Sequence, residues 1–192
     1  MSAPPPPVRL HFVRHGQSTW NLAGRVQGQA PHVPLTALGH RQAHAAAERL
    51  RDCGARHVFT SDLLRARQTA GTIAAALGVA AVPVAALREQ SLGSLEGRLA
   101  AELTAEPVPE GEDITSVRWG GGESIADVHR RVGAFLRELL AAPPGRSLVL
   151  VAHEGIIQVA SACLRGLGPR QTEWRPVPNG SVTAIGYRPL PA

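Results

Sequence analysis

The sequence predicts an α/β fold, a three-layer α/β/α sandwich with a central, mostly parallel sheet. Short apolar, β-branched segments alternate with longer segments of helical length, and two of the apolar segments run directly into a histidine. This alternation is typical of parallel sheets, because each parallel strand needs a crossover connection, usually a helix, to reach its neighbour. The chain has 192 residues, of which 44% are hydrophobic and 18% charged, as expected of one globular domain.

The strands are predicted from runs of apolar and β-branched residues that are bounded by turn residues. Pro83 restricts one further candidate run, residues 80–84, to a sheet edge or a strand end, because proline has no N–H to donate. The four main predicted strands are residues 8–13, 56–60, 148–152 and 182–187.

The helices are predicted from segments rich in alanine and leucine. Thr36 is a suitable N-cap for one helix, and Gly78 can adopt the left-handed conformation that ends another. The predicted helices span residues 36–51, 62–77, 124–140 and 155–165.

Two of the predicted strands end in a histidine. The first strand is followed by Arg14-His15-Gly16, and residues 147–152 lead in the same way into His153. Ligands of open α/β sheets bind at the carboxyl ends of the strands. If these strands are parallel neighbours, His15 and His153 converge at one edge. A single His-Gly after a strand is more often a turn than a site, but two such endings favour a site.

The arginines distinguish an anion site from a metal site. Arg65 follows the predicted strand at residues 56–60 and is expected one turn into a helix, where its guanidinium, with that of Arg14, would form an anion site. Two histidines and a carboxylate also suit a metal, but arginines are permanently protonated and cannot be ligands. We therefore expect phosphate, with no metal and no cofactor.

Several motifs resemble those of the histidine phosphatase superfamily (branch 1), also called phosphoglycerate mutase-like proteins. They occur in the family's order and span nearly the whole chain. The resemblance implies the family's fold and a phosphoryl-transfer chemistry. The motifs are Arg14-His15-Gly16, residues 61–70, Leu87-Arg88-Glu89 with Gly93 and Glu96-Gly97, Gly121-Gly122-Glu123-Ser124, and Val151-Ala152-His153.

The resemblance implies roles for five residues. His15 would be the nucleophile that accepts the phosphoryl group and forms a phosphohistidine. Arg14, Arg65 and His153 would clamp the phosphoryl oxygens through a loose transition state, with His153 protonated to serve fully. Glu89 would be the general acid and then the general base, which requires a raised pKa.

The resemblance implies two further substrate-binding residues, and a departure from the family's pattern leads us to expect a third. Asn21 and Gln27 match polar positions in the loop after the nucleophile; without that match they are ordinary loop amides. Glu154 stands where glycine is common in the family. We expect its backbone N–H, at the start of a helix, to bind the phosphate, while its carboxylate turns away from the anion.

The chain is expected to have a flexible proline-rich lead-in at residues 1–7 and a single domain at residues 8–192. Within that domain, residues 97–120 are expected to form an insertion that covers the substrate. The insertion has five acidic residues against Arg98 and Arg118, although a solvated surface loop explains this excess about as well. The acidic residues are Glu102, Glu106, Glu110, Glu112 and Asp113.

The expected function is that of a metal-independent phosphatase that hydrolyses small-molecule phosphate monoesters through a phosphohistidine on His15. A cofactor-dependent phosphoglycerate mutase is an alternative, but it would need a cationic, closing lid over a doubly phosphorylated substrate, whereas the insertion is acidic. Two further functions stay open: that of an α-ribazole phosphatase, as the specific phosphatase activity, and that of a non-catalytic module that binds phosphorylated ligands.

The composition limits the classes of partner that we expect for this protein. The formal net charge is +5, but every basic residue is an arginine, the arginines are spread along the chain, and few aromatics accompany them. We therefore expect no nucleic-acid partner. The chain has two cysteines, no secretory apolar segment and no apolar run of about 18 residues, so we expect a cytoplasmic protein without a membrane partner. The expected partner is a small phosphorylated metabolite, and both a monomer and a homodimer stay open.

Overall fold

The computed structural model describes residues 7–104 and 107–188. The predicted lead-in at residues 1–7 therefore lies outside the described residues except for Pro7, and so does Glu106 of the acidic insertion. Five strands form one sheet in the described part of the chain. They are β1 (Val8–Arg14), β2 (His57–Thr60), β3 (Ala81–Pro83), β4 (Ser147–Ala152) and β5 (Val182–Tyr187).

The sheet is mostly parallel, as predicted. Its strand order is β3-β2-β4-β1-β5, with β4 in the centre. Strands β3, β2, β4 and β1 pair in parallel, and β5 pairs antiparallel with β1 at one edge. Pro83 lies in the opposite edge strand, where a missing N–H interrupts no central ladder.

Helices cover both faces of the sheet, which confirms the predicted α/β/α layers. The α-helices of the described residues are α1 (Thr19–Leu22), α2 (Ala37–Leu50), α3 (Leu64–Leu77), α4 (Ile125–Ala141) and α5 (Glu154–Leu164). Val149 and Val151 of β4 pack with the alanine-rich faces of α2 and α3, whereas Leu148 and Leu150 pack with α4 and α5. This division follows from the strand itself, because successive side chains point to opposite faces.

The predicted strands and main helices are present, with boundaries shifted by at most one or two residues. Thr36 caps α2 through the N–H of Gly39, and Gly78 ends α3 with a positive φ of 66°, as expected from their residue types. Helix α1 is not predicted by the sequence, because its four residues are too short to show a periodicity.

One boundary corrects the position of a site residue. Helix α3 begins at Leu64, since Leu63 keeps an extended conformation and Asp62 is held outside the helix by a two-bond pair with Arg88. Arg65 therefore lies in the first turn of α3 rather than one turn into it.

None of the helices within residues 7–104 and 107–188 combines the length and apolarity needed to cross a membrane.

Two glycines allow α2 to approach the loop after β1 without an intervening side chain. A Cβ added to Gly39 would lie 2.1 Å from the carbonyl oxygen of Gln17, and one added to Gly16 would lie 2.2 Å from the carbonyl oxygen of Gly39. Real Cβ atoms do not approach backbone so closely, so both positions require glycine. This contact fixes the loop that follows the first strand.

We expect Gly39→Ala to destabilise the protein by about 1–3 kcal/mol, because the new methyl group must push α2 away from the loop. The matched control is Gly71→Ala, an exposed position inside α3 where an added Cβ meets nothing within 4 Å. That change should stabilise the fold by about 0.5–1 kcal/mol, since alanine is the better helix former. Urea unfolding of the two variants tests the contact, and equal effects would contradict it.

Candidate active site

The parallel pairing of β1 with β4 brings the two strand-end histidines together. Arg14 is in register with Ala152, so His15 and His153 each follow a paired strand end. Their ring centroids are 5.0 Å apart, at an angle of 64° between the planes. Both side chains are buried. The expected convergence is therefore confirmed as geometry.

The hydrogen bonds of His15 define its tautomer. Its Nδ1 lies 2.7 Å from the carbonyl oxygen of Gly16. A carbonyl only accepts, so Nδ1 carries the hydrogen and Nε2 of the neutral ring keeps its lone pair. Burial, with the nearby charges of Arg65 and Arg14, lowers the pKa of His15 to about 3, partly offset by the Gly16 bond. The ring is therefore neutral at pH 7, and its acceptor is one that the sequence could not identify.

The backbone around His15 is held from two sides. On one side, Gly16 N–H donates to Thr69 Oγ1 at 3.1 Å, and that hydroxyl donates to the carbonyl of Arg65 at 2.9 Å. On the other side, Asn179 Nδ2 donates to the carbonyl of His15 at 3.0 Å. Helix α3 and the loop before β5 thus position the histidine together.

Arg65 is a buried cation whose hydrogen-bond acceptors are backbone carbonyls. Only 1% of the residue is exposed, and its Nη1 and Nη2 donate to Ala30 and Gly28 at 3.0 and 2.7 Å. Burial lowers the pKa of Arg65 to about 10, against the opposing charges of Glu89 and Glu96. The guanidinium therefore stays protonated at pH 7 and lies beside His15.

Three buried nitrogens of this cluster have no hydrogen-bond partner among the described residues: Arg14 Nε, Arg65 Nε and His153 Nδ1. Buried polar atoms without a partner are uncommon, because desolvating them costs about 1–3 kcal/mol each. Their shared location indicates a site for a ligand that accepts several hydrogen bonds. An oxyanion meets this requirement and also compensates the two guanidinium charges.

The surroundings of His153 favour its neutral form. Its Nε2 lies 2.9 Å from the hydroxyl oxygen of Ser61. Burial lowers the pKa of His153 well below its usual value, and the charge of Arg65 and the neighbouring ring of His15 lower it further. Protonation of His153 therefore requires a compensating negative charge close to the ring.

Glu89 lies next to the start of α5. Its Oε1 accepts from the N–H of Gln90 at 3.0 Å and its Oε2 from the N–H of Gly155 at 3.3 Å. Burial raises the pKa of Glu89, although these two amides and the charges of Arg65 and Arg131 oppose the shift. The raised pKa is the direction that a proton donor requires.

Asn21 and Gln27 lie in the loop after His15, but their contacts are within that loop and its neighbours. Asn21 Oδ1 accepts from the N–H of Ser18 at 3.0 Å as part of the capping box of α1. Gln27 Oε1 accepts from the Ser18 hydroxyl at 2.7 Å. The structure therefore gives both amides a part in shaping the loop, and Gln27 also lines the cleft beside Glu89.

The carboxylate of Glu154 is expected to turn away from the anion site, but in the structure it pairs with an arginine of that site. Its Oε2 pairs with Nη1 of Arg14 at 2.7 Å, and its Oε1 accepts from the N–H of Val177 at 3.0 Å. The reason is that the N-terminus of α5 places this carboxylate beside the end of β1. The same Nη1 of Arg14 also donates to the Val177 carbonyl.

Three positioning contacts were not anticipated from the sequence. Thr69 and Asn179 hold the backbone of His15, and Arg131 donates to the Glu89 carbonyl at 3.0 Å while it pairs with Glu123 at 2.8 Å. The Asn179-Gly180 pair is a turn signal that marks the loop. Thr69 and Arg131 lie inside helices, where nothing in the residue types distinguishes them.

Two charged residues of the insertion form ion pairs with residues outside it. Its acidic Asp113 pairs with Arg170 at 2.6 Å, and its basic Arg118 pairs with Asp127 at 2.9 Å. Among the described residues, no group of three or more histidine, cysteine, aspartate or glutamate side chains could hold a metal ion.

Comparisons with known proteins identify the family of this chain. A family model for the histidine phosphatase superfamily (branch 1) matches residues 10–189. A probable phosphoglycerate mutase GpmB of Yersinia enterocolitica is 37% identical over 188 residues, which covers 96% of this chain and 87% of the relative.

Solved structures of two phosphatases resemble this one. A mycobacterial glucosyl-3-phosphoglycerate phosphatase, in a complex with VO3, has a TM-score of 0.80 and 36% identity, and 92% of each chain is covered. A putative α-ribazole-5′-P phosphatase of Escherichia coli K-12 has a TM-score of 0.83 and 27% identity, with 93% of this chain and 90% of the other covered. Because the family model spans nearly the whole chain, this protein belongs to the histidine phosphatase superfamily, branch 1, and has its phosphoglycerate mutase-like fold.

Proposed function

We propose that this chain is a metal-independent phosphatase that hydrolyses small-molecule phosphate monoesters through a phosphohistidine on His15. The observation that carries the proposal is the set of unpartnered buried nitrogens on Arg14, Arg65 and His153 beside the neutral ring of His15. A phosphoryl group supplies oxygens to the two guanidinium N–H groups and to a protonated His153, and a phosphorus atom to the ring nitrogen of His15.

In the first step, the lone pair of His15 Nε2 attacks phosphorus in line with the ester oxygen. The P–N bond forms as the P–O bond to the leaving group breaks. Glu89, whose pKa is raised by burial, acts in its protonated form and gives its proton to the departing oxygen. The free alcohol leaves, and Glu89 becomes a carboxylate.

In the second step, Glu89 takes a proton from a water molecule whose oxygen attacks the phosphohistidine. The new P–O bond forms as the P–N bond breaks, and its electron pair returns to Nε2. Phosphate is released with His15 neutral and Glu89 protonated. The hydrogen bond from Nδ1 to the Gly16 carbonyl keeps the tautomer unchanged through both steps.

Arg14, Arg65 and His153, which we call the clamp, act on the phosphoryl group by electrostatics. Phosphoryl transfer is promoted mainly by positioning and by neutralising the equatorial oxygens, and the guanidinium groups of Arg14 and Arg65 supply fixed positive charge. A bound phosphoryl dianion beside His153 raises the pKa of that histidine, opposing the effect of Arg65. His153 thus becomes a charged donor when substrate is bound.

Two observations support hydrolysis over mutase activity. The insertion at residues 97–120, which we propose covers the substrate of the single domain at residues 8–192, is acidic in sequence. Two similar solved structures are named phosphatases, although a curated relative is named a probable mutase. α-Ribazole phosphate is one specific substrate to test. A non-catalytic module is disfavoured, because Glu89 would only weaken anion binding.

The test is steady-state hydrolysis of a panel of phosphate monoesters, including 3-phosphoglycerate and α-ribazole phosphate, with chelator present. We expect His15→Ala to lower kcat by at least about 10⁴-fold while inorganic phosphate still binds, because only the nucleophile is removed. Interconversion of phosphoglycerates that exceeds hydrolysis would instead assign a mutase. A His15→Ala protein that binds phosphorylated ligands like the wild type, with no turnover by either, would assign a binding module.

We expect the effect of Glu89→Gln to depend on the leaving group. Release of an alcohol needs a proton, so single-turnover release from an alkyl phosphate should slow by about 10²–10⁴-fold. Release of p-nitrophenolate, a stable anion, should slow by less than about tenfold. The two substrates control for each other within one variant, and equal slowing would remove Glu89 from the role of general acid.

The neutral His15 also predicts how stability depends on pH. The pKa of this histidine is about 3 in the fold, against 6.5 for an ordinary histidine, so the folded state favours the neutral ring. The contribution of the neutral His15 to the free energy of unfolding is fully present above about pH 6.5. It decreases as the pH drops, because His15 takes up a proton in the unfolded chain at a higher pH than in the folded protein. His15 alone should remove roughly 2 kcal/mol between pH 7 and pH 5.

Denaturant unfolding of the wild type and His15→Gln at these two pH values measures this contribution. The pH-dependent loss should shrink in His15→Gln and persist in His44→Gln, which changes an exposed histidine of α2. If His15→Gln lost as much stability between the two pH values as the wild type, folding would not lower the pKa of His15.

A further inference from the structure

The mechanism proposed above gives the Glu154 carboxylate no task, yet the structure fixes both of its oxygens. Oε2 pairs with Nη1 of Arg14 at 2.7 Å, and Oε1 accepts from the N–H of Val177 at 3.0 Å. The carboxylate is therefore held between an arginine of the clamp and the loop that precedes β5. About a third of the side chain, 35%, remains exposed.

This ion pair restricts how Arg14 binds a phosphoryl group. Nη1 donates to the Val177 carbonyl and forms the ion pair with the Glu154 carboxylate. Nε–H is buried and has no partner among the described residues. Arg14 therefore offers Nε–H to a phosphoryl oxygen, while Glu154 keeps a negative charge on another edge of the same guanidinium.

The cleft beside the clamp has little positive charge to receive a second anionic group. Its acidic lining residues are Glu89 and Glu154. Its basic lining residue, Arg175, is 80% exposed in its side chain and pairs with Glu173 at 3.1 Å. Carboxamides and an indole ring complete a lining that suits hydroxyl groups and a carbon skeleton. These side chains are Gln27, Gln90, Gln158 and Trp174.

We infer that Glu154 is a specificity-determining residue that selects phosphate monoesters with an uncharged, hydroxyl-bearing skeleton, such as polyol and sugar phosphates. Its carboxylate disfavours esters that carry a carboxylate or a second phosphate close to the esterified carbon, because like charges repel in a partly desolvated cleft. A hydroxyl at the same place can donate to Glu154 instead. This inference rests on the proposed phosphatase function.

Glycerol 3-phosphate and 3-phosphoglycerate form a matched pair of substrates, since a terminal hydroxymethyl group in one replaces a carboxylate in the other. We expect the wild type to prefer glycerol 3-phosphate by about tenfold or more in kcat/KM. Glu154→Gln keeps an oxygen for the Val177 N–H but removes the charge. It should lower the preference by at least about fivefold, mainly through faster hydrolysis of 3-phosphoglycerate.

The matched control is Glu48→Gln, which removes one negative charge from an exposed position of α2. It should leave the preference unchanged. A second readout needs no variant at Glu154: raising the salt concentration should reduce the wild-type preference, because salt screens the repulsion. A purely structural role for Glu154 would not produce this salt dependence.

The outcomes separate the two proposals. His15-dependent hydrolysis of both esters, with a preference that neither Glu154→Gln nor salt alters by more than about twofold, would overturn the specificity role and leave the phosphatase function in place. A wild-type preference for 3-phosphoglycerate would overturn it as well. Hydrolysis of neither ester would overturn the inference. Hydrolysis of no ester of the whole panel, or hydrolysis that persists in His15→Ala, would overturn the proposed function as well.

Discussion

The parallel pairing of β1 with β4 is the interaction on which the candidate site depends. Its register places Arg14 beside Ala152, so that His15 and His153 leave the sheet side by side. The central position of β4 buries it on both faces, and helices of both layers then fix the strand ends. A shift of one residue along this ladder would separate the rings and turn alternate side chains of the strand towards the wrong face.

The electrostatics of the site follow from the burial of Arg65, whose hydrogen-bond acceptors are backbone carbonyls rather than carboxylates. Arg65 donates to two backbone carbonyls, and its charge lowers the pKa values of both histidines. The folded protein thus stores an unfavourable arrangement of buried donors and positive charge in one place. Such an arrangement is typical of functional sites, where residues are placed for a ligand rather than for stability.

Most of the fold could be predicted from local patterns. The apolar runs that end in His15 and His153 identified two strands, and Thr36 and Gly78 identified helix ends, because capping and strand preferences are properties of short segments. The family motifs also included Arg65, which the structure places close enough to both histidines to lower their pKa values. Asn179 and Thr69 could not be predicted, because their contacts depend on tertiary packing.

The position of Glu154 shows the same limit. Its place at the start of a helix predicted a role for its backbone N–H. The partner of its carboxylate depends on the distance between the start of α5 and the end of β1, which no local sequence pattern encodes. The tautomer of His15 is similar, since its acceptor is a carbonyl and every residue has one.

The strand order has a consequence for how the chain acquires its structure. Strand β1, the first to be synthesised, pairs only with β4 and β5 among the described strands, and His11 lies 136 positions from its partner Ser147. During synthesis, β1 therefore has no strand to pair with until β4 has been synthesised, 136 positions further along the chain. Folding is dominated by a late, long-range closure, and the apolar first strand is exposed to misassociation during translation.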